Sequence, residues 1–155
     1  MLSEKIKWNR DTIGNKMFQK RNAYNQFIVI KLNTSINDLN ILFEGLDVSL
    51  LELNRLVSLD LLETPEKLRP IMVQKRVKEL IMNDEGSAIV IDRFDVLFEP
   101  SLKVKPIELF KEMSKNKMII IVWRESLIDN KLIHAKPSHP EYQEQLITED
   151  EIIII

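Results

Sequence analysis

The chain has 155 residues, 45% of them hydrophobic and 30% charged, with a formal net charge of -2. That length suits one compact domain, and the apolar share excludes wholesale disorder. There are no cysteines, which excludes a disulfide scaffold, a thiolate metal site and cysteine catalysis.

In chain order, the first 25 residues place Ile6, Ile13, Met17 and Phe18 among polar residues, an amphipathic helical pattern with Gly14 inside it. Phe27-Ile28-Val29-Ile30 is a continuous apolar run of branched residues, which reads as a buried strand. A polar turn, Lys31 to Thr34, leads to a helix expected from Ser35 to about Glu44. Ser35 with Asp38 approximates a capping box there, and Gly45 closes the helix. Leu50 to Asn54 is a second candidate strand, followed by a Leu-rich helix to Leu62.

Pro65 and Pro70 announce a further helix that puts Val73, Val77, Leu80 and Ile81 on one face and ends near Gly86. Ala88-Ile89-Val90-Ile91-Asp92 is an apolar strand ending in a carboxylate. Pro106 starts a helix through Ile107, Leu109, Phe110 and Met113, and Met118 to Trp123 is the clearest buried strand. Leu132 to Ala135 and Ile152 to Ile155 are two more candidate strands. Strands alternating with helices, three of them continuously apolar, predict an α/β domain with a mostly parallel sheet covered on both faces. The expected organisation is a single domain over 1–155: an N-terminal amphipathic helix (1–25), an α/β core (26–142) and an acidic, Ile-rich tail (143–155).

Met1 to Lys5 lack the basic-then-apolar order of a signal peptide, and no apolar run approaches the ~20 residues of a transmembrane helix. The expectation is a soluble, cytoplasmic protein without a membrane partner. Charge is uneven along the chain. Lys5, Lys7, Arg10, Lys16, Lys20, Arg21 and Lys31 face only Glu4 and Asp11, whereas Glu141, Glu144, Glu149, Asp150 and Glu151 have no basic neighbour in sequence. The plain reading is a solvated basic helix and an acidic tail; the sharper one is a basic arm contacting phosphate or an acidic subunit.

Ligands of parallel sheets sit beyond the carboxyl ends of the strands. Here the strand at 27–30 runs through a turn into a helix, and a later apolar strand ends in Asp92. That is the layout of P-loop nucleotide-binding domains, in which backbone amides and a Lys hold phosphates and a strand-end Asp helps to hold Mg²⁺. Asp92 on a strand end is also common in α/β domains without any ligand.

The residues Leu51-Glu52-Leu53-Asn54, Arg69-Pro70, Ile89 to Asp92, Leu97 to Leu102, Pro106 to Phe110, Ser114 to Lys117, Trp123 and Ala135 to Tyr142 carry a resemblance. In order and spacing they resemble the small P-loop proteins of BREX bacteriophage-defence systems, the BrxF-like proteins. The likeness runs from about Leu50 to Tyr142, and more loosely back to Phe27. His139-Pro140-Glu141-Tyr142 is its most distinctive piece. It implies a P-loop NTPase-like three-layer domain working in a multi-protein defence complex, with Asp92 at the Walker B position.

The sequence departs from that family at the first turn. The pattern G-x-x-x-x-G-K-[ST] would fall on Lys31 through Asp38, where Lys31, Ile36, Asn37 and Asp38 replace its four defining residues. Ile36 has a Cβ that disfavours the backbone needed to curl amides around phosphate. Asn37 supplies no cation, and the Asp38 carboxylate repels phosphate from the helix end. With only Gly14, Gly45 and Gly86 in the chain, no other segment can replace the loop. The expectation is a degenerate phosphate loop, with Lys31, Ser35, Asn37, Asp38 and Asp92 as a doubtful nucleotide site and no cofactor bound.

Other candidates are weaker. Asp92, Asp95 and Glu99 could form a carboxylate metal set, but without a phosphate cradle the favoured reading is that Asp92 caps or salt-bridges locally, with Arg93 or a neighbouring strand's residue. His134 and His139 lack a third ligand for zinc. Trp8 and Trp123 read as packing residues. Lys5, Lys7, Arg10, Lys75, Arg76, Lys115 and Lys117 are the cations available for DNA or a partner, with solvated loop charge as the plain alternative. Arg124, beside the strongest strand, reads in the same two ways.

Three functions remain. The first is a non-catalytic P-loop-like scaffold that binds other BREX-type defence proteins and reaches DNA through the complex; a homo-oligomer is compatible with it. The second is an ATP- and Mg-dependent NTPase with an atypical or partner-completed site. The third is a small DNA-contacting module.

Overall fold

A computed structural model of the chain describes residues 4–36 and 38–155. The elements in order are α1 (Glu4–Lys20), β1 (Phe27–Lys31), α2 (Asn40–Phe43), β2 (Val48–Glu52), α3 (Leu53–Glu63), α4 (Arg69–Met82) and β3 (Ala88–Asp92). They continue with α5 (Pro106–Met113), β4 (Met118–Trp123), β5 (Ser126–Ile128), β6 (Lys131–His134), β7 (Gln143–Leu146) and β8 (Ile152–Ile154). Five strands form a central sheet in the order β2-β3-β4-β1-β8, and every pairing in it is parallel. The expected α/β class holds.

Parallel strands buried on both faces explain why β1, β3 and β4 are continuously apolar. Alternate residues of each strand feed two separate cores. Phe27, Val29, Ile89, Ile91, Ile119 and Ile121 point to one face, where they meet Leu53 and Val57 of α3, Val73, Val77 and Ile81 of α4 and Phe110 of α5. Ile28, Ile30, Val90, Ile120 and Val122 point to the other, against Ile13 of α1 and Leu42 and Phe43 of α2.

Four expectations need correction. The helix expected over 35–44 is reduced to Asn40–Phe43, and Ser35 lies in an exposed irregular stretch. Asp38 accepts hydrogen bonds from the backbone and side-chain nitrogens of Asn40, a local turn that competes with helix at this point. The strand expected at 50–54 spans Val48–Glu52, because Leu53 turns inward as the first buried residue of α3.

The strand at 132–135 does not join the central sheet. As β6 it pairs antiparallel with β5 and β7 in a separate small sheet. Trp8 is exposed, because the buried side of α1 runs through Asn9, Ile13 and Lys20.

The C-terminal residues are part of the sheet. β8 lies along β1 in the register Val29 with Ile152 and Ile30 with Ile153, burying Ile153 and Ile155. One of its acidic neighbours meets the basic helix in space: Lys20 bonds Asp150 and Lys16 stands 3.8 Å from it, while Glu151 pairs with Lys111 of α5 at 3.2 Å. The two unbalanced ends of the sequence thus touch at Asp150.

Candidate functional site

In the strand order, the chain leaves β1 for the far edge at β2, and leaves β4 for β8 on the other side of β1. The carboxyl ends of β1 and β4 therefore form the switch point where a parallel sheet offers its ligand crevice. At that point the β1 ladders to β4 and β8 continue beyond the strand ends. The Leu32 amide donates to the Trp123 carbonyl at 2.9 Å, and the Asn33 amide donates to the Ile155 carbonyl at 2.7 Å. Lys31 folds its ammonium onto the Leu32 carbonyl at 3.0 Å. The Asp38 carboxylate accepts the Asn40 amide at 3.0 Å, at the start of a helix only four residues long. Asn37 lies outside the described residues.

One strand further, β3 ends in Asp92. Its side chain is only 4% exposed, and it is held by Arg124, the residue after β4. Arg124 Nε donates to one carboxylate oxygen at 3.1 Å and Nη2 to the other at 3.0 Å. This fork-on-carboxylate geometry uses both oxygens of the aspartate. Arg93 adds a weaker contact from its half-exposed guanidinium, 3.9 Å from Asp92 and 4.0 Å from Glu52. The reading of Asp92 as an ion-paired residue fits this arrangement, with Arg124 as the main partner.

Arg93 has a left-handed backbone, φ 49°, which a non-glycine residue adopts only when its surroundings impose it. Asn54, at the start of α3, imposes it from three points. Its amide donates to the Arg93 carbonyl at 2.8 Å, its side-chain nitrogen donates to Asp95 at 2.6 Å, and its side-chain oxygen accepts the Val96 amide at 2.9 Å.

A cleft of about 210 Å³ opens between the ends of β3 and β4, walled by Phe94, Phe98, Trp123 and His134 with Arg93 and Arg124 beside it. That is below the ~300–1,000 Å³ of ordinary small-molecule sites. His134 stacks on Phe98 with ring centroids 3.8 Å apart. Its Nδ1 lies 2.7 Å from Glu125 and its Nε2 lies 3.1 Å from Glu141. The His139 ring accepts the Glu141 amide at 3.0 Å, so the His-Pro-Glu-Tyr stretch is tied back to the cleft wall through His134.

The carboxylates considered as a metal set are separately engaged. Asp92 pairs with Arg124, Asp95 accepts from Asn54, and Glu99 accepts the Ser101 amide at 3.0 Å. The Ser101 backbone bond, then its hydroxyl, holds the Glu99 carboxyl below the ordinary glutamate range. Among the described residues no group of three or more His, Asp or Glu side chains is placed to hold a metal ion.

The candidate cations do not converge. Lys5, Lys7 and Arg10 lie on α1, which packs on the face of Ile28 and Val90, while Lys75 and Arg76 lie on α4, on the opposite face. Arg10 bonds the Ile41 carbonyl and Glu44, Arg76 bonds Asp60 at 2.7 Å, Lys115 bonds Glu112 at 2.9 Å, and Lys117 bonds Asp84 at 3.1 Å. Among the described residues no helix is long and apolar enough to cross a membrane.

Fold and site thus define an α/β domain with a five-stranded parallel sheet and an arginine-closed aspartate at a strand end. No protein-family model matches the chain, nor does any curated protein or solved structure.

Proposed function

We propose that the chain is a non-catalytic, P-loop-like component of a BREX-type anti-phage defence complex, acting through contacts with other defence proteins. The sequence resemblance over Leu50 to Tyr142 carries the assignment to such a complex. The strand order supports the P-loop ancestry: one strand, β4, stands between β1 and the strand that ends in Asp92. The observation that carries the non-catalytic reading is the bidentate hold of Arg124 on Asp92.

These residues do not fit a Mg-nucleotide. A phosphate cradle needs free amides after β1, a lysine reaching outward and a carboxylate open to a cation. In this chain the Leu32 and Asn33 amides are hydrogen-bonded within the sheet, Lys31 is turned onto a neighbouring carbonyl, and both Asp92 oxygens face a guanidinium. The divided placement and internal pairing of the basic residues argue against the DNA-module reading.

Affinity purification of the tagged chain from its native host tests the reading. Recovery with the products of neighbouring defence genes is expected. A monomer that repeatedly comes out alone contradicts it.

A further inference from the structure

The central sheet ends on one side at β2, and among the described residues no strand pairs with its outer side. Five residues at a strand rise make this edge roughly 16 Å long. Sheet edges that stay uncovered are templates for another chain, and proteins usually blunt them with charge or proline. Val48, Ser49, Leu50 and Leu51 carry neither, and the one charge on the strand is Glu52 at its end.

A groove of about 440 Å³ runs beside this edge, with Ile41, Phe43, Leu46, Val48 and Leu50 as its apolar lining. Its polar rim is acidic. Asp38 and Glu44 line it, and the exposed Asp47 and Glu52 bracket the strand at its two ends. Arg10 lies 3.3 Å from Glu44, and Arg93 lies 4.0 Å from Glu52. Asp47 also accepts a hydrogen bond from Ser87.

We infer that this edge and groove are the docking site for an extended basic segment of a partner protein, which adds a strand beside β2. Backbone hydrogen bonds to the edge supply affinity, alternate apolar side chains enter the groove, and lysines or arginines between them meet the acidic rim. A second copy of this chain fits poorly. Pairing β2 antiparallel with itself about the Ser49–Leu50 bond sets Glu52 of each copy opposite Asp47 of the other and brings the two acidic rims together. The inference rests on the scaffold reading and names the surface that such a scaffold would use.

The probe is a fluorescein-labelled ten-residue peptide alternating valine with lysine, followed by fluorescence anisotropy and by amide NMR shifts of the full chain. The account expects saturable binding, with shifts confined to residues 38–52. The double substitution Asp38→Lys/Glu44→Lys should weaken it about tenfold, since rim charges act through on-rate and salt dependence. A peptide N-methylated at alternate residues, unable to donate to an edge, should not bind.

No binding, equal binding of a glutamate version, indifference to N-methylation, or shifts elsewhere would each overturn the docking site. So would a dimer in sedimentation that the peptide dissociates, since a second copy would then own the edge. Titration of the same sample with Mg-ATP separates the two claims. Nucleotide binding removes the non-catalytic reading and leaves the peptide result standing, whereas peptide silence without nucleotide binding removes the docking site alone.

Discussion

Arg124 and Asp92 leave adjacent parallel strands at the same end of the sheet and meet through two hydrogen bonds, 3.1 and 3.0 Å long. The aspartate is almost fully buried, while a third of the arginine side chain reaches solvent. The pair is therefore asymmetric, and each partner's removal has a different cost.

Arg124→Ala leaves a buried carboxylate with only the distant Arg93 nearby, and should cost about 2–3 kcal/mol of stability. Asp92→Asn leaves a guanidinium that can turn to water, and should cost about 1 kcal/mol or less. Urea unfolding midpoints of the two variants measure the difference. The opposite order would mean that the pair does not hold the strand ends together.

The edge strand β8 gives a sharper test of packing. Ile153 is buried and Ile154 is 60% exposed, as alternation along one strand requires. Ile153→Ala should cost about 2–3 kcal/mol, and Ile154→Ala no more than about 0.5. Equal effects in thermal or urea unfolding would deny these residues their place beside β1.

A third prediction concerns pH. Burial alone would raise the Asp84 carboxyl, but hydrogen bonds from Lys117, Ser49 and Gly86 outweigh it and hold it below the ordinary value of 3.8. A carboxyl depressed in the folded state stabilises the fold above its unfolded value, and that contribution is lost as pH falls through the folded value. The stability gap between the natural chain and Asp84→Asn should thus stay level from about pH 7 to 5 and narrow below about pH 4. Urea midpoints across that range check it; a gap that widens on acidification contradicts it.

The buried strands were legible because parallel strands covered on both faces need unbroken apolar runs. Phe27 to Ile30, Ala88 to Asp92 and Met118 to Trp123 fall where the runs place them. The half-exposed β2 was misplaced by two residues, since Leu50, Leu51 and Leu53 give no clean period across a strand that runs directly into a helix.

The small antiparallel sheet is largely hidden from the sequence, because β5 is only three residues long and β7 is mostly polar. Its hairpin did have a signal. Asp129-Asn130, with φ 52° and 60°, joins two short strands in the manner of a tight primed turn.

At the site, Asp92 is legible from its place on a strand end, and Arg93 is the partner that its sequence neighbourhood suggests. What pattern could not supply was distance. Nothing in the sequence says that residue 124, rather than its neighbour Arg93, reaches both oxygens. The hydrogen bonds of the Leu32 and Asn33 amides go to Trp123 and Ile155, 91 and 122 positions away, which no local reading reaches.

The central claim is that the strand-end site is closed to a nucleotide, and isothermal titration of Mg-ATP into the purified chain tests it most directly. The account predicts no saturable heat up to millimolar nucleotide. A one-to-one isotherm with micromolar affinity, abolished by Asp92→Ala in a variant that still folds, would contradict it.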